Sequence, residues 1–242
     1  LRFFVPHAQA RQKALSQGAH SHQVVEVGDL MLDGLLRRWP AEEARGQLEL
    51  DPRRPVIGLF PGSRRFELVG AFPLMLQTAS LLASRRAGLQ FVASLSPFVT
   101  RDQLAEALAR EGLFTPPPER LAAALFPEGE EEGAGFPWSA QHRAVWVEWV
   151  PSRPAGEGGD LRSVRLLIVR GAPYDVAQAS DLVLTLPGSN TAELAGLGVP
   201  MVVLVPGQLM DELPLEGLAG LITGIPWLGP ALKRRIILSR AP

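Results

Sequence analysis

Short apolar runs alternate along the chain with stretches in which apolar residues recur every three or four positions. Val24–Val27, Val56–Phe60, Leu89–Leu95, Ala144–Val150, Val164–Arg170, Leu182–Leu186 and Met201–Val205 are rich in Val, Leu and Ile, and most lack a polar face. Strands of that kind are buried on both sides, which predicts a mostly parallel sheet covered by helices on both faces. Within Phe66–Arg86, residues Val69, Phe72, Leu76, Ala79 and Leu82 fall at helical spacing. Thr100 with Gln103 makes a capping box for a helix running through Arg110, with Gly112 ending it. Asn190–Leu197 reads as a short helix closed by Gly198 and Pro200. The alternation of strand and helix predicts an α/β fold.

Two stretches interrupt this pattern. Thr115–Pro137 holds three consecutive prolines and then Glu128, Glu130, Glu131 and Glu132 among glycines, which predicts a solvated loop or insertion. Ser152–Asp160 is a second polar, Gly-rich connector. Strands of one type continue beyond both, so residues 23–212 are expected to form one domain with a loop-rich insertion around 115–161. Residues 1–22, with the strand-like Leu1–Val5, are expected to link to a preceding domain. The chain starts at Leu1 and stops on Arg240-Ala241-Pro242, and it reads as part of a longer protein. Residues 213–242 predict an apolar and basic helical segment. Leu215, Leu218, Leu221 and Ile222 form a face that Ile225, Trp227, Leu228 and Leu232 extend, followed by Lys233, Arg234, Arg235 and Arg240. Such a segment suits packing on another domain, or docking on an anionic membrane surface where each cation adds roughly 1 kcal/mol.

Composition narrows the partners. With 24 Lys and Arg against 25 Asp and Glu the formal net charge is −1, so nothing draws the whole chain to nucleic acid, and any anion site is local. The absence of cysteine excludes disulfides and thiolate metal sites, and fits a reducing compartment. His7, His20, His22 and His142 show no HExxH spacing. No apolar run approaches the ~20 residues of a membrane-spanning helix.

Two loops carry chemistry. In the first, the run Val56–Phe60 leads into Pro61-Gly62-Ser63-Arg64-Arg65 at a helix start. A helix N-terminus offers unpaired N–H groups and the positive end of the dipole, which suits a phosphate. Gly62 allows close backbone approach, Ser63 adds a hydroxyl, and Arg64 can make a bidentate contact to a phosphoryl oxygen. The plain alternative is an ordinary turn with surface arginines. In the second, Leu182–Leu186 leads into Pro187-Gly188-Ser189-Asn190-Thr191-Ala192-Glu193. Gly188, Ser189, Asn190 and Thr191 repeat the glycine-and-donor design. Glu193, placed on the first helical turn, can accept from two ribose hydroxyls or else cap the helix. Both loops follow carboxyl ends of strands, where open α/β sheets bind ligands, so together they predict a nucleotide-diphosphate crevice. Neither a Walker loop nor a GxGxxG fingerprint is present.

These pieces resemble the lipid-A-disaccharide synthase family: Val27-Gly28-Asp29-Leu30-Met31-Leu32-Asp33, Leu59 through Glu67, and Ala179-Ser180-Asp181 through Gly188, Glu193 and Gly198-Val199-Pro200. The resemblance spans roughly Gln23 to Gly207. It implies one Rossmann-like half of a two-domain (GT-B) glycosyltransferase, the half that holds a UDP-sugar. By resemblance, Arg64 contacts the phosphates and Glu193 is the glutamate at the helix start. Three departures stand out: Asp29 replaces a histidine, the 115–161 stretch is enlarged, and the family's closing Leu-Pro-Asn segment does not follow Ser239.

The implied reaction is transfer of an N-acetylglucosamine-like sugar from UDP to a lipid-linked acceptor, with no metal and no cofactor, since no DxD pair occurs. The N–H groups of Ser189, Asn190 and Thr191 with Arg64 would stabilise the departing diphosphate. Asp175 and Asp181 are placed near the crevice, with Asp181 better suited to capping or starting a strand. No general base is identified, and it is expected in the other half. A homodimer is left open, and the expected location is cytoplasmic, peripheral on the inner face of the membrane. The rival readings are a UDP-sugar epimerase of the same fold and a non-catalytic nucleotide-sugar or lipid-binding module.

Overall fold

Val56–Phe60 (β3) places all five of its residues out of solvent, because the strand lies mid-sheet between two layers of helices. Its side chains divide by the strand's period of two: Ile57 and Leu59 enter one core, Val56 and Phe60 the other. The computed structural model describes residues 1–35, 40–109, 112–126, 143–151 and 162–206.

In chain order, β1 (Phe3–Val5), α1 (Ala8–Ser16), β2 (Val24–Glu26), α2 (Leu30–Asp33) and α3 (Ala41–Gln47) precede β3. After it come α4 (Arg65–Arg85), β4 (Gln90–Leu95), α5 (Arg101–Leu108), β5 (Gly112–Thr115), α6 (Pro118–Leu125) and β6 (Arg143–Pro151). Then follow β7 (Val164–Arg170), α7 (Pro173–Ala179), β8 (Leu182–Thr185), α8 (Ser189–Leu197) and β9 (Met201–Val203). The strands β1 and β2 form a parallel pair of their own, with Phe4 opposite Val25. The other seven make one sheet in the order β5-β6-β7-β4-β3-β8-β9. This is a Rossmann-like α/β fold.

Six of those seven strands share one direction, and β6 alone runs against them, antiparallel to both β5 and β7. The enlarged stretch is therefore less loop-like than its composition predicts. Thr115–Leu125 supplies the end of β5 and all of α6, and Leu121, Ala122 and Leu125 are buried. Pro118 opens α6 because a proline at the first helical position lacks only an N–H that would go unpaired anyway. Gly112 starts β5 rather than ending α5, which stops at Leu108. The Glu128–Glu132 cluster, the Ser152–Asp160 connector and the 213–242 segment lie outside the described residues.

On one face α4, α5 and α6 pack through Leu68, Phe72, Met75, Leu76, Leu104 and Leu121. The opposite face holds α3, α7 and α8 through Ala44, Val176, Leu194 and Leu197. Among the described residues, α4 is the one helix long and apolar enough to cross a membrane, and its apolar side is spent in the core. At its start the Glu67 carboxylate accepts from the backbone N–H of Arg64, and α5 starts on the box of Thr100 and Gln103. Gly198, in the left-handed region at φ 73°, closes α8.

Candidate functional site

β3 is the strand from which the chain leaves in both directions: through α4 to β4 on one side, while β8 returns on the other and continues through α8 to β9. Because α4 and α8 cover opposite faces, the chain leaves β3 and β8 toward opposite sides of the sheet, with a gap between the two loops. This is the topological switch point, where open α/β sheets leave a crevice at the carboxyl ends of their strands. Midway along β3, Gly58 leaves room for the end of α7 and for β8: a Cβ there would lie 2.6 Å from the Ser180 hydroxyl and 3.0 Å from Val183.

A cavity of about 250 Å³ occupies the crevice. Gly62 and Ser63 line it from the β3 side, Ser189, Asn190 and Glu193 from the β8 side. Arg64, Gly188 and Thr191 flank it without lining it. Ser94 near the end of β4 and Ser96 and Phe98 after it complete the wall, together with Gly171, Pro173 and Tyr174 after β7. Sequence reasoning missed these last two loops. The same strand-end rule would have found them, because both directly follow strands it had placed.

The two helix starts differ in what they leave free. At α4, the carboxylate of Glu67 already accepts from the N–H groups of Ser63 (2.9 Å) and Arg64 (3.1 Å), and pairs with the Arg64 guanidinium at 3.0 Å. That backbone is occupied, and the remaining donors of Arg64 stay exposed. Gly62 sits at φ 94°, with the Glu67 side chain so close that a Cβ would lie 2.7 Å from its Cβ. At α8, Ser189 and Asn190 are the first two helical residues, so their N–H groups have no partner within the helix. Thr191 is spent locally: its hydroxyl donates to the Gly188 carbonyl at 2.6 Å, and its N–H to the same oxygen at 3.1 Å.

Glu193 falls on the fifth position of α8, past the first turn, so it does not cap the helix. Its Oε1 instead accepts from the Tyr174 hydroxyl at 3.5 Å. Burial raises the Glu193 pKa above the ordinary carboxylate range, and the bond from Tyr174 partly offsets this. The Tyr174 pKa is raised too, first by burial and then by the charge and hydrogen bond of Glu193, so its hydroxyl stays a donor at neutral pH. Asp181 stands directly before β8, as the strand-starting reading expects, at the amino end of the sheet and away from the crevice. There Oδ2 accepts from Val56 N at 2.8 Å and Oδ1 pairs with Arg45 at 2.8 Å. Asp175 is buried within α7.

The sequence profile described as lipid-A-disaccharide synthetase matches residues 20–115, a span that includes the Gly62-Ser63-Arg64 loop. Curated lipid-A-disaccharide synthases match further. That of Geobacter metallireducens is 29% identical over 178 residues, which is 74% of this chain and 33% of the relative. That of Geobacter sulfurreducens is 28% identical over the same shares. That of Idiomarina loihiensis is 36% identical over 76 residues, 31% of this chain and 20% of the relative. Over these spans the chain is similar to lipid-A-disaccharide synthases. It spans about a third of the length of the two Geobacter synthases. The crevice brings the amino end of α8 and the half-buried Glu193 carboxylate to one switch point, with the exposed Arg64 side chain beside it.

Proposed function

We propose that this chain is the donor-binding half of a glycosyltransferase of lipid A biosynthesis, and that its crevice takes a UDP-sugar. The diphosphate lies against the N–H groups of Ser189 and Asn190, where the dipole of α8 favours negative charge, with Arg64 reaching in from the other lip. Ser63 and Gly62 border the same space. Glu193 accepts from the ribose hydroxyls through Oε2, the oxygen Tyr174 does not engage. In the transfer, the anomeric C–O bond to UDP breaks, and the acceptor hydroxyl oxygen bonds to that carbon as it loses its proton. The charge that develops on the departing UDP is met by donors already in place. The lipid-linked acceptor and the base that takes its proton belong to the other half of the enzyme.

The observation carrying this reading is the convergence of the β3 and β8 loops on one cavity, with anion donors and a carboxylate on its walls. Calorimetry tests it: UDP should bind, and free N-acetylglucosamine should bind far more weakly. Sugar binding without UDP binding would overturn the assignment. Labelled UDP-sugar incubated with the full-length protein and lipid extract should yield a glycolipid, whereas robust transfer by the 242-residue chain alone would overturn the division of labour.

A further inference from the structure

Tyr174 comes from α7 and Glu193 from α8, and both line the cavity that the proposed function assigns to UDP. A glutamate on a helix wall has three side-chain torsions to settle before it can present an oxygen to a ligand. The hydroxyl of Tyr174 restricts that freedom by engaging Oε1 at 3.5 Å. The phenol ring is itself held, because it packs against the α7–α8 core. Pro173, at the first position of α7, fixes the backbone beside it.

We infer that Tyr174 is a positioning residue for nucleoside recognition: it holds the Glu193 carboxylate so that Oε2 faces the ribose diol. The inference rests on the UDP reading above. The elements packed against α8 are α2, α7 and β9. Of these, α2 carries Asp33 and α7 carries Asp175 beside Tyr174, while β9 has no ionisable residue. The interactions that set the Glu193 pKa are burial, which raises it, and the Tyr174 hydrogen bond, which lowers it. Removing the hydroxyl therefore acts on Glu193 in two ways. It frees the side chain, and it makes the carboxylate easier to protonate.

The test measures binding of UDP and of inorganic pyrophosphate to the full-length protein by calorimetry, between about pH 4 and about pH 8. Wild type, Tyr174→Phe and Glu193→Gln are compared. Both ligands carry phosphates that titrate in this range, so the readout is their difference: in wild type, UDP affinity should fall beyond the pyrophosphate trend, in an added step as the pH drops through the raised Glu193 pKa. Tyr174→Phe should lower UDP affinity at neutral pH about three- to ten-fold, leave pyrophosphate unchanged, and move the step to higher pH. Glu193→Gln should abolish the step. An unmoved step in Tyr174→Phe, or one that survives in Glu193→Gln, overturns the positioning role. Equal losses for UDP and pyrophosphate overturn it as well, because they mark a general disturbance of the crevice. Absence of UDP binding in wild type defeats the functional reading itself, a separate result.

Discussion

Glu67 holds Arg64 twice, accepting from its backbone N–H at 3.1 Å and from its guanidinium at 3.0 Å. The carboxylate therefore caps the start of α4 and steadies the arginine at once. Arg64→Ala should weaken UDP and pyrophosphate alike, by about 10- to 100-fold, as for a charge-assisted bond lost. Because its side chain is largely exposed, the unfolding midpoint should barely move. Unchanged affinity for both ligands would return Arg64 to an ordinary surface arginine.

Glu67→Ala should act mainly on stability. It removes the acceptor for two N–H groups at the start of α4, a loss of about 0.5–2 kcal/mol in denaturant unfolding. Glu67→Gln keeps an acceptor oxygen and should retain most of that stability. Equal destabilisation by the two variants would count against the capping role.

At Gly62, any side chain meets both a left-handed backbone (φ 94°) and the Glu67 side chain. Gly62→Ala is expected to cost about 1–3 kcal/mol of stability and to impair UDP binding in the same variant. Wild-type stability and affinity in Gly62→Ala would show that the turn tolerates rearrangement.

Leu121→Ala probes the segment whose composition predicted a loop. The side chain is fully buried in the core shared by α4, α5 and α6, so truncation should cost about 2–5 kcal/mol. A solvated loop would lose almost nothing, and a change under about 0.5 kcal/mol would place α6 outside the core.

How far the sequence could be read depended on how local each signal was. β3 and β7 have the bounds the apolar runs predict, because a strand buried on both faces leaves no polar residue to blur its ends. α6 went unread because Pro116-Pro117-Pro118 looks like a run of breakers, whereas Pro118 is a legitimate first helical residue and Leu121 and Leu125 sit one turn apart. Strand direction was not legible from apolar runs alone. The clue lay in β6, where Val147 and Trp149 are buried while Glu148 and Val150 face outward. At the site, Gly62, Ser63, Ser189, Asn190 and Glu193 followed from strand-end position. The bond between Tyr174 and Glu193 joins residues 19 positions apart on two different helices, and no local pattern announces it. The binding roles themselves await the measurements described above.

The opposite-face placement of α4 and α8 has a consequence for how such a crevice can change. The lip bearing Gly62 and Arg64 is rooted in the layer of Phe72, Met75 and Leu104, and the lip bearing Glu193 in the layer of Val176, Leu194 and Leu197. The sheet stands between those foundations as a rigid partition. A repacking substitution beneath one lip can tilt it by a fraction of an ångström while the other keeps its pose. The reach of Arg64 and the contacts made by α8 could then be retuned one at a time, each by residues that never touch a ligand.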